Sequence, residues 1–187
     1  MDTIEIIGAV IGLLYLYFEY KADKWLWLVG ILMPLIYVYI FFHAKFYAYM
    51  GINVYYFFAS VYGWIKWTRT AGNEVETPIL HTPEQKIIPL AAVFSLIFML
   101  ITYILIYYTD SPVAIGDSFT TALSIVAMWM LANKYIEQWW LLIVVNAASC
   151  GLFFLQGLNY TALLYLIYGI VSFFGYFKWK RLMEKRN

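Results

Sequence analysis

The amino-acid sequence predicts an all-α integral membrane protein with seven transmembrane helices, arranged 3+1+3 as two triple-helix bundles and a linker helix. The 187 residues are 64% hydrophobic and 12% charged, whereas soluble domains are about half apolar and a quarter charged. Apolar runs long enough to cross about 30 Å of hydrocarbon recur along the chain with brief polar breaks. The second half also repeats the first half at a constant offset.

The apolar segments are predicted to be helices, because they are apolar on every side and lack the alternation of barrel strands. We place the spans at residues 4–20, 25–42, 47–67, 87–108, 117–133, 137–156 and 160–182. The long polar segment from Thr68 to Lys86 contains Gly72, Asn73, Pro78 and Pro83, which is typical of a flexible connector.

The basic residues predict the orientation, because Lys and Arg near span ends are retained on the cytoplasmic side. With the amino terminus outside and the carboxyl terminus inside, Lys45 is the one basic residue on the outer face. The other basic residues fall on the inner face: Lys21, Lys24, Lys66, Arg69, Lys86, Lys134, Lys178, Lys180, Arg181, Lys185 and Arg186. We therefore expect a multi-pass protein of the cell (inner) membrane, with the lipid bilayer as a partner. No nucleic-acid partner is expected.

The internal repeat appears when the chain is shifted on itself by 112 residues. The segment Gly63–Arg69 then aligns with Gly175–Arg181, Trp27 with Trp139, Tyr56 with Tyr168, and Ser60 with Ser172. The repeat predicts a first unit at 1–69, a connector and linker helix at 70–112, and a second unit at 113–187. The linker restores the orientation of the second unit, and parallel repeats of this kind occur among transporters. Because Pro34 aligns with Asn146 and Asn53 with Tyr165, we expect a chemically lopsided cavity.

Polar residues on the spans are the candidates for contact with a substrate. Asn53, Tyr56 and Ser60 fall on one face of the third span, and Asn146 lies in the sixth. An amide at membrane depth needs a hydrogen-bonding partner, so these residues either line a cavity or join helices. Deep aromatic rings could stack on a planar or cationic group, and Trp129, Tyr56 and Tyr168 are the candidates.

The sequence does not predict an enzyme, a metal site or a cofactor. His43 and His81 are expected on opposite faces, and the single Cys150 cannot form an internal disulfide. There is no phosphate-binding loop in the sequence. The acidic residues nearest the spans lie close to span ends, where we expect water to reach them: Glu5, Glu19, Asp117 and Glu137. Passive movement of a solute is therefore favoured over ion-coupled transport.

The segment Tyr62–Trp67, preceded by Asn53–Tyr56, resembles the Pnu family of vitamin transporters, which includes carriers of nicotinamide riboside (PnuC) and thiamine (PnuT). The resemblance continues through Lys134–Trp139, Asn146 and Gly175–Trp179. It implies a fold similar to that of SWEET sugar transporters, facilitated diffusion, and trapping of the vitamin by a cytoplasmic kinase. The substrate-binding residues that the resemblance implies are Asn53, Tyr56, Trp64, Trp140, Asn146, Tyr165 and Tyr168.

One departure from the family bears on the substrate. Members associated with nicotinamide riboside often carry Gln in the fifth helix, where this chain has Met128–Leu131. The loss of this polar group favours thiamine, whose thiazolium suits Trp129, and nicotinamide riboside is the alternative. A sugar carrier of the same architecture and a membrane assembly protein or enzyme without transport function also remain open. A second copy of the chain or lipid could cover the exposed aromatic faces.

Overall fold

The computed structural model describes residues 3–43, 47–71 and 78–185, with side chains left out at 3–9, 40–41, 43, 47–49 and 69–71. These residues form seven helices: α1 Thr3–Tyr20, α2 Trp25–His43, α3 Tyr47–Ala71, α4 Glu84–Tyr108, α5 Ala114–Ala132, α6 Gln138–Leu155 and α7 Asn159–Glu184. The number and order of the predicted helices are confirmed. Lys45, Gly72 and Asn73 lie outside the described residues, as does the side chain of His43.

Four of these helices, α4 to α7, are long and apolar enough to cross a membrane. Within the described residues, Val10–Tyr20 and Trp25–Tyr39 are shorter apolar stretches of α1 and α2. No residue of α4 is fully buried, although Leu90 and Phe94 pack against neighbouring side chains of the second unit. Leu96 and Met99 are 67% and 64% exposed. Large apolar side chains exposed along a helix are unfavourable in water, and the length and composition of α4 suit a membrane span.

The chain divides into two compact units. The first consists of Met1–Pro78 with Ala132–Lys134, and the second of Ile79–Leu131 with Tyr135–Lys185, as far as these ranges are described. Helix α4 thus belongs to the second unit. The 3+1+3 arrangement and the predicted boundaries at residues 69 and 112 stay predictions.

In the first unit, α2 packs on α3 where the Trp27 ring of α2 contacts Gly63 of α3. The Trp27 side chain is fully buried, and a Cβ atom on Gly63 would lie 2.5 Å from its ring. The Trp27 ring meets the Trp67 ring edge to face, with centroids 5.4 Å apart and an angle of 86°. Only a residue without a side chain allows α2 and α3 to approach this closely.

The second unit contains the equivalent cluster between α6 and α7. Trp139 is fully buried, a Cβ atom on Gly175 would lie 2.6 Å from its ring, and the Trp139 and Trp179 centroids are 5.6 Å apart at 86°. The two clusters occupy matching places at the 112-residue offset. The internal repeat therefore corresponds to a repeated packing motif.

The loop between α5 and α6 begins with residues that pack in the first unit. The Trp67 indole Nε1 donates to the carbonyl oxygen of Ala132 at 3.1 Å, and Lys66 Nζ donates to Asn133 Oδ1. Lys134 is 5% exposed, with its ammonium 4.2 Å from the centre of the Trp67 ring. A positive φ of 52° at Lys134 turns the chain sharply at this point.

The rest of this loop is bonded to the connector that precedes α4. The Ile136 N–H donates to the carbonyl oxygen of Leu80 at 3.0 Å. One Glu137 oxygen lies 2.6 Å from His81 Nδ1, and the other accepts from the Thr82 N–H and hydroxyl, each at 2.8 Å. The connector was predicted to be flexible, but residues 80–82 are held because their polar groups find partners on the loop.

The Glu137 carboxyl shows the effect of these bonds on its ionisation. Burial alone would raise the pKa of Glu137, but the hydrogen bonds from His81 and Thr82 outweigh burial and lower that pKa from its ordinary value of 4.5. The network therefore favours the ionised carboxylate.

Candidate functional site

The Asn146 amide is the clearest polar group on the buried face of α6. Asn146 is 7% exposed, and its Nδ2 donates to Ser172 Oγ of α7 at 3.2 Å. The Ser172 hydroxyl in turn donates to the carbonyl oxygen of Tyr168 at 2.8 Å. Asn146 therefore joins two helices through one amide hydrogen, which is the packing role that the sequence left open beside substrate contact.

Two predicted tyrosines lie beside this chain of hydrogen bonds on α7. The Tyr165 and Tyr168 rings meet edge to face with centroids 5.7 Å apart, and Phe153 of α6 lies 5.1 Å from Tyr165. Asn146, Tyr165 and Tyr168 are thus contributed by two helices that pack directly on each other. Together they offer an amide and two aromatic rings within one unit.

A cavity of about 420 Å³ lies between α6 and α7. Its wall is almost entirely apolar, and of the predicted site residues only Tyr165 lines it. The other lining residues include Ile143, Ala147 and Cys150 of α6, and Gly169 and Phe173 of α7. Such a wall lacks the convergent polar groups that a water-soluble vitamin needs.

The two predicted tryptophans of the second unit lie elsewhere in that unit. Trp140 is 46% exposed and its ring lies 4.9 Å from the Tyr176 ring. Trp129 packs against the cluster formed by Val126, Met130 and Tyr135, with the Lys86 ammonium 5.1 Å from its ring centre. One aromatic face of Trp129 therefore already interacts with a cation of the protein itself.

The predicted residues of the first unit all lie on α3. Asn53, Tyr56 and Trp64 are partly exposed. The Tyr56 ring is 5.6 Å from the Tyr55 ring, and the Trp64 ring is 6.0 Å from the Trp25 ring.

The two units differ at two equivalent serines, while the expected lopsided cavity stays a prediction. Ser172 accepts from Asn146, whereas Ser60 is fully buried and its hydroxyl has no partner among the described residues. At the place matching Asn146 the first unit has Pro34, a buried residue without an amide group to donate.

Sequence reasoning missed Gln138, the first residue of α6. Gln138 is fully buried, and neither atom of its amide has a partner in the part of the chain that the structure describes. At the 112-residue offset it aligns with Leu26, directly before the matched tryptophans. This mismatch of a polar with an apolar residue is the signal that could have identified it.

One expectation about the acidic residues was wrong. Glu19 was expected to be accessible to water at the end of α1, but it is 2% exposed. Tyr17 of the same turn is 49% exposed, so burial is confined to the side of α1 that carries Glu19, and nearness to a helix end did not ensure access to solvent.

Comparison with known proteins gives a family and a fold. A family model described as nicotinamide mononucleotide transporter matches residues 2–181. A nicotinamide riboside transporter PnuC of Escherichia coli (strain K12) is 29% identical over 212 residues, covering 100% of this chain and 89% of the relative. The PnuC of Neisseria mucosa is 27% identical and covers 97% and 73%. The predicted resemblance to the Pnu family is confirmed.

Two further similarities extend this comparison. The riboflavin/roseoflavin transporter RibM of Streptomyces davaonensis is 24% identical over 94% of this chain and 83% of the relative. A crystal structure of the vitamin B3 transporter PnuC superposes with a TM-score of 0.73 at 24% identity, covering 97% of this chain and 82% of that one. The structural match shows a shared helical fold.

Proposed function

Because the chain belongs to the nicotinamide mononucleotide transporter family, we propose that it carries nicotinamide riboside across a membrane by facilitated diffusion. The observation that carries the proposal is the family match over residues 2–181. Two relatives that cover nearly the whole chain are named nicotinamide riboside transporters. The protein is a membrane transporter and, as its relatives imply, not an enzyme.

The preference for thiamine is not supported by the comparisons. It depended on the missing Gln in the fifth helix and on Trp129 as a face for the thiazolium cation, and the Lys86 ammonium lies over the Trp129 ring. The Escherichia coli and Neisseria mucosa relatives are named for nicotinamide riboside, and the Streptomyces davaonensis relative is named for riboflavin and roseoflavin. Thiamine and riboflavin therefore become competitors in the test.

We propose that the substrate is bound by the amide and aromatic side chains predicted from the sequence. In the second unit, Asn146, Tyr165 and Tyr168 support this proposal, because they combine a buried amide with two rings on packed helices. Nicotinamide riboside has a carboxamide, ribose hydroxyls and a cationic ring, which an amide and aromatic faces can bind. Trp129 and Trp140 of the second unit stay in the proposed set, and Asn53, Tyr56 and Trp64 of the first unit are proposed separately as substrate-binding residues.

The energetics of the proposed transport follow from the substrate charge. An inside-negative potential of about 100 mV favours entry of a monovalent cation by about 2.3 kcal/mol, or roughly 50-fold accumulation. Phosphorylation by a separate cytoplasmic kinase would retain the vitamin. The basic residues support an outer amino terminus and an inner carboxyl terminus.

The test is uptake of labelled nicotinamide riboside into liposomes that contain the purified protein. We expect equilibration without a gradient, accumulation with an inside-negative potential, and competition by unlabelled nicotinamide riboside but not by thiamine or riboflavin. A pH gradient is included because Glu19 is a buried acid. Accumulation driven by that gradient would overturn facilitated diffusion, and absence of uptake would overturn transport of this vitamin.

The matched variant for this assay is Asn146→Leu. We expect it to abolish uptake, because Leu cannot hydrogen-bond to the substrate, while the variant still purifies as a folded protein. Loss of the bond to Ser172 should cost about 1 kcal/mol of stability. If uptake by folded Asn146→Leu equals that of the wild type, Asn146 is only a packing residue.

A further inference from the structure

The buried face of α6 carries polar residues over three turns. Gln138, Asn146 and Ser149 are all buried on this helix. Asn146 hydrogen-bonds to Ser172, whereas both amide atoms of Gln138 lack a partner among the described residues. Burial of an amide without hydrogen bonds is unfavourable, so such a group needs a reason to be there.

The first unit shows that the fold itself does not require an amide at this position. The equivalent residue is Leu26, which is also fully buried and also precedes a buried tryptophan. The indole nitrogens of Trp27 and Trp139 are both buried without a partner in the described structure, so that feature belongs to the repeated packing motif. The Gln138 amide is particular to the second unit.

We propose that Gln138 is a second substrate-binding amide, at the amino-terminal end of α6, that hydrogen-bonds to the carboxamide or ribose hydroxyls of the transported vitamin. This inference rests on the proposed function. An amide donates and accepts, which matches a carboxamide group by a pair of hydrogen bonds. Gln138 precedes Asn146 by eight residues, or about 12 Å along the helix axis. The two amides therefore contact different polar groups or successive positions of the substrate.

The neighbouring loop is suited to hold Gln138 in place. The Gln138 backbone N–H donates to the Tyr135 carbonyl oxygen at 3.2 Å. The preceding residue, Glu137, is hydrogen-bonded to His81 and Thr82. Residues 135–138, the part of this loop in the second unit, are thus fixed by hydrogen bonds within that unit. A pre-ordered amide loses less conformational entropy when it binds a ligand.

The test uses Gln138→Leu, which gives the second unit the residue that the first unit already has. Removal of a buried amide that has no partner among the described residues should raise the melting temperature of the ligand-free protein by about 2–4 °C. The same variant should bind nicotinamide riboside about tenfold more weakly, equivalent to about 1.4 kcal/mol, by titration of purified protein. Gln138→Met is the second variant. Gly151→Ala is the control, for which we expect wild-type affinity, because its new Cβ meets nothing within 4 Å.

The outcomes separate the inference from the proposed function. Wild-type affinity in either folded Gln138 variant overturns the inference alone. Weaker binding with a lowered melting temperature, or failure of both variants to fold, also overturns it, because the amide would then be structural and hydrogen-bonded to water. If wild-type protein does not bind nicotinamide riboside, the proposed function fails, and the ligand assigned to Gln138 fails with it.

Discussion

The substitution Gly175→Ala tests the contact on which the packing of α6 and α7 depends. The new Cβ would lie 2.6 Å from the Trp139 ring, where ordinary contacts begin at 3.4 Å, so the ring would have to shift by about 0.8 Å. Trp139 is fully buried and held edge to face against Trp179, which leaves little room for that shift. Overpacking of this kind costs about 1–3 kcal/mol.

Gly151→Ala is the matched control, because it adds the same methyl group to α6 where nothing lies within 4 Å. Both variants gain the same helix preference of alanine over glycine, so their difference isolates the overpacking. We expect Gly175→Ala to melt about 2–12 °C below Gly151→Ala. Thermal unfolding in detergent is monitored by tryptophan fluorescence. Equal melting temperatures would show that Trp139 moves aside freely, and would refute the packing argument.

Two further predictions concern hydrogen bonds. Ser172→Ala should lower the free energy of unfolding by about 1–2 kcal/mol, because it removes the hydrogen bonds to Asn146 and Tyr168. Ser60→Ala should be neutral or stabilising, because the Ser60 hydroxyl has no partner among the described residues. Equal losses of stability in thermal unfolding would contradict this difference between the units. Glu137 has a lower pKa in the folded protein than in the unfolded chain, so its network stabilises the fold above the ordinary value of 4.5 and loses that effect as pH falls through the folded pKa. Glu137→Gln should therefore melt below wild type at pH 7, with a difference that shrinks at acid pH. A difference that is independent of pH would contradict this assignment.

Much of the fold followed from the sequence, because the membrane restricts what an apolar segment can do. A run such as Ile87–Tyr108 must satisfy its backbone hydrogen bonds internally, so it is predicted as a helix, and α4 includes all of it. The offset of 112 residues also paired Trp27 with Trp139 and Gly63 with Gly175 before any contact was known, and these residues form the equivalent clusters.

Other properties depend on contacts between distant segments, and only the tertiary structure decided them. The hydrogen-bonding partner of Asn146 lies 26 residues away along the sequence, and His81 lies 56 residues from Glu137. Neither separation belongs to the three- and four-residue spacing of a helix, so the sequence did not predict these pairs. The same is true of the Lys86 ammonium over the Trp129 ring, which weakens one of the two grounds for thiamine. The sequence determined the helices, their repeat and the vitamin-carrier family, because these follow from composition, periodicity and motif. The structure decided which polar groups are paired and which, like Gln138, are buried without a partner among the described residues, because hydrogen bonding depends on side chains that folding brings together.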